Sequence, residues 1–297
     1  MEPFTIGVIL PGIPVQRRDG LDLPAAARHA EQAGLDGVWH GDHLAVGAPT
    51  LDAPVALAAA AAATGRVTIG TSVLVPALRP LAWAAKQIAT LQHVSGGRLV
   101  LGVGSGGGPA QWAAAGVPYA ERGARTDTAL TLLPNLLSGE RTPLPDGSTA
   151  ELSLSVPMPP VWVGNASPAA LRRAARLGDG WFPSLISPRA VADGRALLND
   201  LAAGHARPAP VIAIGCSAAL GPGAPSRAEL AAGIASAYDR PMADVLDIPL
   251  TGTPEQAAER LAAYREAGAS HAVVGVSGDD WRTQVDLLAQ ARALLLR

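Results

Sequence analysis

The strongest constraint on this sequence is a rhythm: a short apolar run followed by a helix-like segment, repeated eight times along 297 residues. Residues 4–10 form the first apolar run, stopped by Pro11-Gly12, and residues 23–33 carry the spacing of an amphipathic helix that Gly34 closes. The following units pair 37–40 with 53–63, 67–75 with 81–94, 98–103 with a helix within 125–137, and 161–163 with 168–177. The last three pair 180–183 with 188–203, 211–220 with 254–267, and 272–276 with 281–296. Runs that are apolar throughout, rather than alternating, suit parallel strands covered by helices on one side and packed in an interior on the other. Eight such units predict an α/β fold, a closed (β/α)8 TIM barrel, which takes about 250 residues. We read residues 1–297 as a single domain, with 138–160 and 221–251 as loop inserts because both are rich in Pro and Gly.

Composition enters by what it excludes. A barrel of this length buries roughly 75% of its unfolded surface, so an apolar content of 48% is housed without a disulfide or metal staple. Cys216 is the single cysteine and has no internal partner, which fits a reducing compartment. Lys and Arg number 23 against 25 Asp and Glu, and no basic run with interleaved aromatics is present, so nucleic acid is not an expected partner. Met1-Glu2-Pro3-Phe4 lacks the basic start and apolar segment of a secretion signal, and the Ala-rich run 53–63 is too short to span a bilayer. The expectation is a soluble, cytoplasmic protein with no membrane partner.

In a barrel of this kind chemistry sits where strands end and βα loops begin. Trp39-His40-Gly41-Asp42-His43 follows the second strand, Thr71-Ser72-Val73-Leu74 closes the third, Gly104-Ser105-Gly106-Gly107-Gly108 follows the fourth, and Gly164-Asn165-Ala166-Ser167 the fifth. The glycines after strand four let backbone N–H groups approach an anion, with Ser105 adding a hydroxyl, although a dinucleotide fold would want a helix at once and a patternless stretch follows Pro109 instead. Ser167-Pro168 opens a helix whose free N–H groups suit an anion, or serve only as an ordinary cap. Both loops lie on one rim of a barrel, so together they suggest a phosphorylated cofactor. Imidazoles titrate near neutrality, and His43 beside Asp42 could orient or protonate a bound ring.

Other motifs read as structural. Thr253-Pro254-Glu255-Gln256 is a capping box, and Ser95-Gly96-Gly97-Arg98 turns a helix into the fourth strand. His40-x-x-His43 could begin a metal site, but no Asp or Glu clearly ends strands four to seven to complete it, and no metal is expected. Val103 stands two residues before Ser105, so the nucleophile elbow of a hydrolase is not met.

The stretch from Ile69-Gly70-Thr71-Ser72-Val73 through Arg79-Pro80, Ala85-Lys86-Gln87, Ser95-Gly96-Gly97-Arg98 and Gly102-Val103-Gly104 resembles the luciferase-like monooxygenase family. Asp42-His43, Pro160-Val161-Trp162-Val163-Gly164, residues 174–181 and Gly252-Thr253-Pro254-Glu255 extend the resemblance over nearly the whole chain, nearest the branch that uses the deazaflavin coenzyme F420. The resemblance implies a cis peptide at Ser72-Val73 against the cofactor ring, with Asp42 and His43 beside the ring. It also implies that Ser105, Gly106, Gly164, Asn165, Ala166 and Ser167 hold the phosphate, and that the chain forms a homodimer. Two departures stand out. Some sugar-phosphate dehydrogenases of the branch carry an acid where this chain has Gly107, and many relatives have Glu where this chain has Thr128.

The expectation is therefore an F420-dependent oxidoreductase that moves a hydride between the deazaflavin and a small organic substrate, with His43 as its catalytic group. Two alternatives stay open: an FMN-dependent monooxygenase on the same barrel, and a barrel that binds a flavin or deazaflavin without turning it over.

Overall fold

The computed structural model describes residues 4–44, 47, 49–278 and 280–296; residues 1–3, which bore on the secretion signal, lie outside them. Eight strands, β1 (Thr5–Ile9), β2 (Gly37–His40), β3 (Thr68–Thr71), β4 (Leu99–Val103), β5 (Val161–Gly164), β6 (Gly180–Phe182), β7 (Val211–Leu220) and β8 (His271–Val276), pair in parallel in chain order. The eighth returns to the first with His271 opposite Thr5, which closes the expected (β/α)8 barrel. Helices α1 (Leu23–Gln32), α2 (Ala53–Ala63), α3 (Leu81–Val94), α4 (Arg122–Ser138), α5 (Pro168–Leu177), α6 (Pro188–Gly204), α7 (Pro254–Glu266) and α8 (Trp281–Leu295) follow the strands.

The helices begin where the sequence can cap them. Asp22, Asp52, Ser167, Ser187 and Thr253 each accept a backbone N–H three residues ahead, and each of those five helices has Pro in its first turn, where the missing donor costs nothing. The capping box at Thr253 and Gln256 is present. Closure is reinforced at the barrel's seam by Asp36, whose carboxylate takes the Ile6 N–H at 2.8 Å and both arms of the Arg292 fork at 2.6 Å.

Inside, the barrel is filled by aromatic rings. Trp39 stacks on Trp162 at 5.2 Å, and Phe182 meets both edge-on at 5.5 and 5.8 Å. Such contacts contribute about 0.5–1.5 kcal/mol each beyond the area they bury. The neighbouring strand must be bare for them to fit: a Cβ on Gly70 would stand 2.1 Å from the Trp39 ring. Val73, where the third strand ends at the mouth of the barrel, packs against this layer.

Three expectations about the loops need correction. Residues 221–251 are not simply loop: they hold the helices Arg227–Tyr238 and Met242–Val245, and the strand Leu250–Gly252 pairs with the end of β7. The first helix opens with its own capping box, Ser226 with Glu229, a signal that the surrounding Pro and Gly outweighed in the sequence reading. Residues 138–160 begin inside α4 and contain a small hairpin, Thr142–Pro143 with Thr149–Ala150. Finally, a short helix, Pro109–Ala114, does follow the glycines after β4 at once, with Trp112 wholly buried as its anchor.

Candidate functional site

The third strand stops early because its backbone changes course. Expected over 67–75, it leaves the ladder after Thr71; the Ser72-Val73 peptide is cis, and Leu74 then re-pairs with Val103 as a single bridge. Val73 joins the aromatic layer as its roof. It fits only because the adjoining strand ends lack side chains: a Cβ on Gly104 would stand 2.5 Å from Val73 Cγ2, and one on Gly164 2.9 Å from Val73 Cγ1. Beside it, Ser72 Oγ is buried with no hydrogen-bond partner among the described residues. A buried hydroxyl without a partner is uncommon and invites a ligand or water.

The segment after β2 meets this ledge. Ser72 N–H donates to the His40 carbonyl at 2.9 Å, so the two strand ends are joined where the chain turns. The exposed His43 ring folds back toward the join: a Cβ on Gly41 would fall 3.2 Å from His43 Nε2 and 3.4 Å from the Ser72 carbonyl. Asp42 goes elsewhere. Its buried carboxylate accepts from the Val75 N–H at 2.9 Å and from both arms of Arg79 at 2.7 and 2.8 Å, and Arg79 reaches on to Asp52, the cap of α2, at 3.6 Å. Asp42 holds the Arg79 guanidinium charged, its pKa raised above the ordinary arginine value by that hydrogen-bonded contact. Asp42 and Arg79 thereby staple two loops together beside His43.

His40 is 8% exposed, and its Nδ1 lies 3.0 Å from the Gly41 carbonyl while its Nε2 is buried with no partner among the described residues. Burial pushes this imidazole below the ordinary histidine range, against the pull of the Gly41 carbonyl, Asp42 and Asp52. The glycine segment after β4 is braced from beneath: Gly106 is in the left-handed region at φ 72°, and the short helix that follows fixes the β2 loop through Gln111, which accepts from the Leu44 N–H at 2.9 Å.

The loop after β5 is a preformed turn. Asn165 is left-handed at φ 84°, its side chain accepts from the Ser167 N–H at 2.8 Å, and its carbonyl accepts from Trp181 Nε1 at 2.9 Å. Ser167 Oγ accepts from the Ala170 N–H, which leaves the hydroxyl proton available to donate. The sequence-predicted residues thus fall into two groups. His43, Ser72, Val73 and Gly164 converge on the mouth, while Ser105, Gly106, Asn165, Ala166 and Ser167 lie in the loops after β4 and β5. Asp42 is bonded to Val75 and Arg79.

Sequence reasoning missed Arg79, Gln111 and the structural part played by His40. Arg79-Pro80 was visible as a motif, but an arginine's partner 37 residues away is not written locally.

A family model described as luciferase-like monooxygenase matches residues 12–238. An F420-dependent glucose-6-phosphate dehydrogenase of Beutenbergia cavernae is 42% identical over 176 residues, covering 54% of this chain and 52% of that protein. A 5,10-methylenetetrahydromethanopterin reductase of Methanolobus tindarius is 28% identical over 207 residues, covering 68% of this chain and 59% of that protein. The matched segments span about half the length of these curated relatives. Among solved structures, an F420-dependent secondary alcohol dehydrogenase in complex with an F420-acetone adduct superposes with a TM-score of 0.82 at 18% identity, covering 99% of both chains. The oxygenating constituent of 3,6-diketocamphane monooxygenase of Pseudomonas putida, in complex with FMN, superposes at 0.78 and 17% identity over 99% of both. At those identities the structural likeness is one of fold.

Proposed function

The chain belongs to the luciferase-like monooxygenase family, and from that premise we propose that it is an oxidoreductase that moves a hydride between coenzyme F420 and a small organic substrate. The observation that carries this reading is the ledge at the mouth: Val73 seated between Gly104 and Gly164, with the buried Ser72 hydroxyl unpartnered beside it. An apolar side chain with one unsatisfied polar atom beside it suits a planar ring that is apolar on its face and polar at its rim. The F420-dependent relatives support the deazaflavin over FMN.

In this reading Ser72, Val73 and Gly164 lie against the ring, and Ser105, Gly106, Asn165, Ala166 and Ser167 hold the phosphate. When bound, F420 would supply a ring carbon that carries a hydride. The protein does the rest. Oxidising an alcohol releases one hydroxyl proton and reducing a ketone consumes one, and the His43 imidazole is the group at the mouth that takes or returns it. Asp42 and Arg79 keep the loop that bears His43 against the loop that bears Val73, which holds donor and acceptor in register. A sugar phosphate is the less favoured substrate, because some dehydrogenases of that class carry an acid where this chain has Gly107.

We place the protein in the cytoplasm as one domain, as a homodimer. Cys216 is free and buried, and among the described residues no helix is long and apolar enough to cross a membrane. The deciding experiment is a fluorescence titration of purified protein with F420 and, separately, with FMN. The expected result is micromolar binding of F420, tighter than FMN by about tenfold or more. A preference for FMN would transfer the reading to oxygen-consuming monooxygenation, and binding to neither would remove the cofactor assignment. Tight binding with no substrate-dependent redox, left intact by His43→Ala, would favour a barrel that binds without catalysing.

A further inference from the structure

His40 has no part in the function proposed above, yet it is a buried polar side chain beside the mouth. It is 8% exposed at the end of β2, and its own carbonyl receives the Ser72 N–H at 2.9 Å. Its Nδ1 lies 3.0 Å from the Gly41 carbonyl. A carbonyl only accepts, so Nδ1 must carry the proton, and in the neutral ring Nε2 is then a bare acceptor. That assignment agrees with Nε2 being buried and unpartnered, since a proton there would be an unsatisfied buried donor. The groups that act electrostatically on this ring are His43, Asp42 and Asp52, with Arg79 bridging the two carboxylates.

The consequence falls on Gly41. An added Cβ there would crowd the His43 ring at 3.2 Å and touch the Ser72 carbonyl at 3.4 Å, so Gly41 adjoins both. Rotation of the Gly41 carbonyl would swing the following peptide and carry His43 with it, and the His40 N–H is what holds that carbonyl. We propose that His40 is a positioning residue: its neutral, Nδ1-protonated imidazole fixes the Gly41 peptide and so sets the distance between His43 and the Ser72-Val73 ledge. The proposal rests on reading that ledge as the cofactor site.

Asparagine and glutamine separate this role from mere space filling. The Asn amide nitrogen stands the same number of bonds from the backbone as Nδ1 and can donate to the Gly41 carbonyl; the Gln amide nitrogen stands one bond further out. We therefore compare wild type, His40→Asn and His40→Gln by F420 titration, melting temperature and NMR of ¹⁵N-labelled histidine rings. The wild-type His40 ring is expected to give a pyrrole-like Nδ1 and a pyridine-like Nε2. His40→Asn should bind F420 within about threefold of wild type, while His40→Gln should bind about tenfold more weakly, the loss of roughly one hydrogen bond's worth of placement. In the free protein the His43 ring signals should stay in place in His40→Asn and move in His40→Gln.

An Nε2-protonated His40 in the wild type overturns the proposal. So do equal F420 affinities in the two variants, or equal displacement of the His43 signals. If His40→Gln does not fold, the wild-type tautomer and the His40→Asn signals still decide. Should the wild type bind no F420, the function reading fails by itself, and the ring signals of the free protein still test the role of His40.

Discussion

Because burial keeps the His40 imidazole below the ordinary histidine range, the folded chain resists a proton that the unfolded chain accepts. Above pH 6.5, the ordinary histidine value, the residue is neutral in both states and contributes no pH dependence. Below it, protonation of the unfolded chain draws the equilibrium toward unfolding, so stability falls as pH falls, by at most about 1.4 kcal/mol per pH unit until the folded state also takes the proton. Urea denaturation between about pH 7.5 and about 5.5 should show the wild type losing more stability than His40→Asn, which has nothing to titrate there. Parallel curves would mean that the buried ring relaxes toward water when charged. At this scale the sequence was legible in residue type and not in direction. Asp42 and His43 are neighbours at a strand end, and that much pointed to the mouth. Whether a carboxylate faces a ligand or an arginine depends on where Arg79 arrives, and nothing between residues 42 and 79 encodes it locally.

The turn between α2 and β3 shows how far a single element depends on others. Glu31, in α1, takes the N–H groups of Gly65, Arg66 and Val67, the last two at 2.7 and 3.1 Å. From the other side Arg98 donates to the carbonyls of Ala61, Thr64 and Val67 at 2.9, 3.0 and 2.9 Å, to Thr64 Oγ1 at 3.0 Å, and to Ser95 at 2.7 Å. The cation thereby caps the negative end of α2 and satisfies carbonyls that would otherwise be left unpaired where the helix stops. Removing it as Arg98→Ala should cost about 3 kcal/mol, because several part-buried acceptors lose a charged donor at once. Arg98→Lys should recover less than half of that, since a point charge cannot serve four directions as a fork does. Chemical denaturation of the three proteins measures both differences; a lysine variant as stable as wild type would show that charge alone suffices. The sequence did reveal the bend at Ser95-Gly96-Gly97-Arg98, and Gly96 and Gly97 are indeed left-handed. It did not reveal the arginine's task, because the partners lie as far as 37 residues back. The helix Arg227–Tyr238 was readable in principle from Ser226 and Glu229, and was hidden by the prolines around it.

For the molecule as a whole, the eightfold rhythm was sufficient to anticipate a barrel, because each apolar run can be buried only if the next unit covers it. The seam was not readable: Thr5 beside His271, and Asp36 joined to Arg292 across 256 positions, are products of closure. What closure leaves uncovered bears on assembly. Helix α2 consists of eleven residues, all apolar, and a helix apolar on every side is ordinarily covered on every side. Here Val55 is 69% exposed, and on the adjoining α3 Trp83 is 65% exposed. Ala58, Ala59 and Ala62 continue the outer face of α2 with side chains small enough to let another helix approach closely. A second copy presenting the same surface about a twofold axis would cover Trp83 and Val55 without burying any charge from α2, which makes this face the proposed site of the homodimer. Buried tryptophans are common anchors of such interfaces, so Trp83→Glu should weaken dimerisation by about 2 kcal/mol or more, roughly thirtyfold or more in the dissociation constant. Light scattering coupled to size exclusion should give a dimer for the wild type and a concentration-dependent shift toward monomer for Trp83→Glu, with the circular dichroism of the two unchanged. A dimer that persists unaltered in the variant would move the interface to another face; a wild type that is monomeric across the micromolar range would end the homodimer proposal and leave Trp83 as an exposed residue that nothing covers.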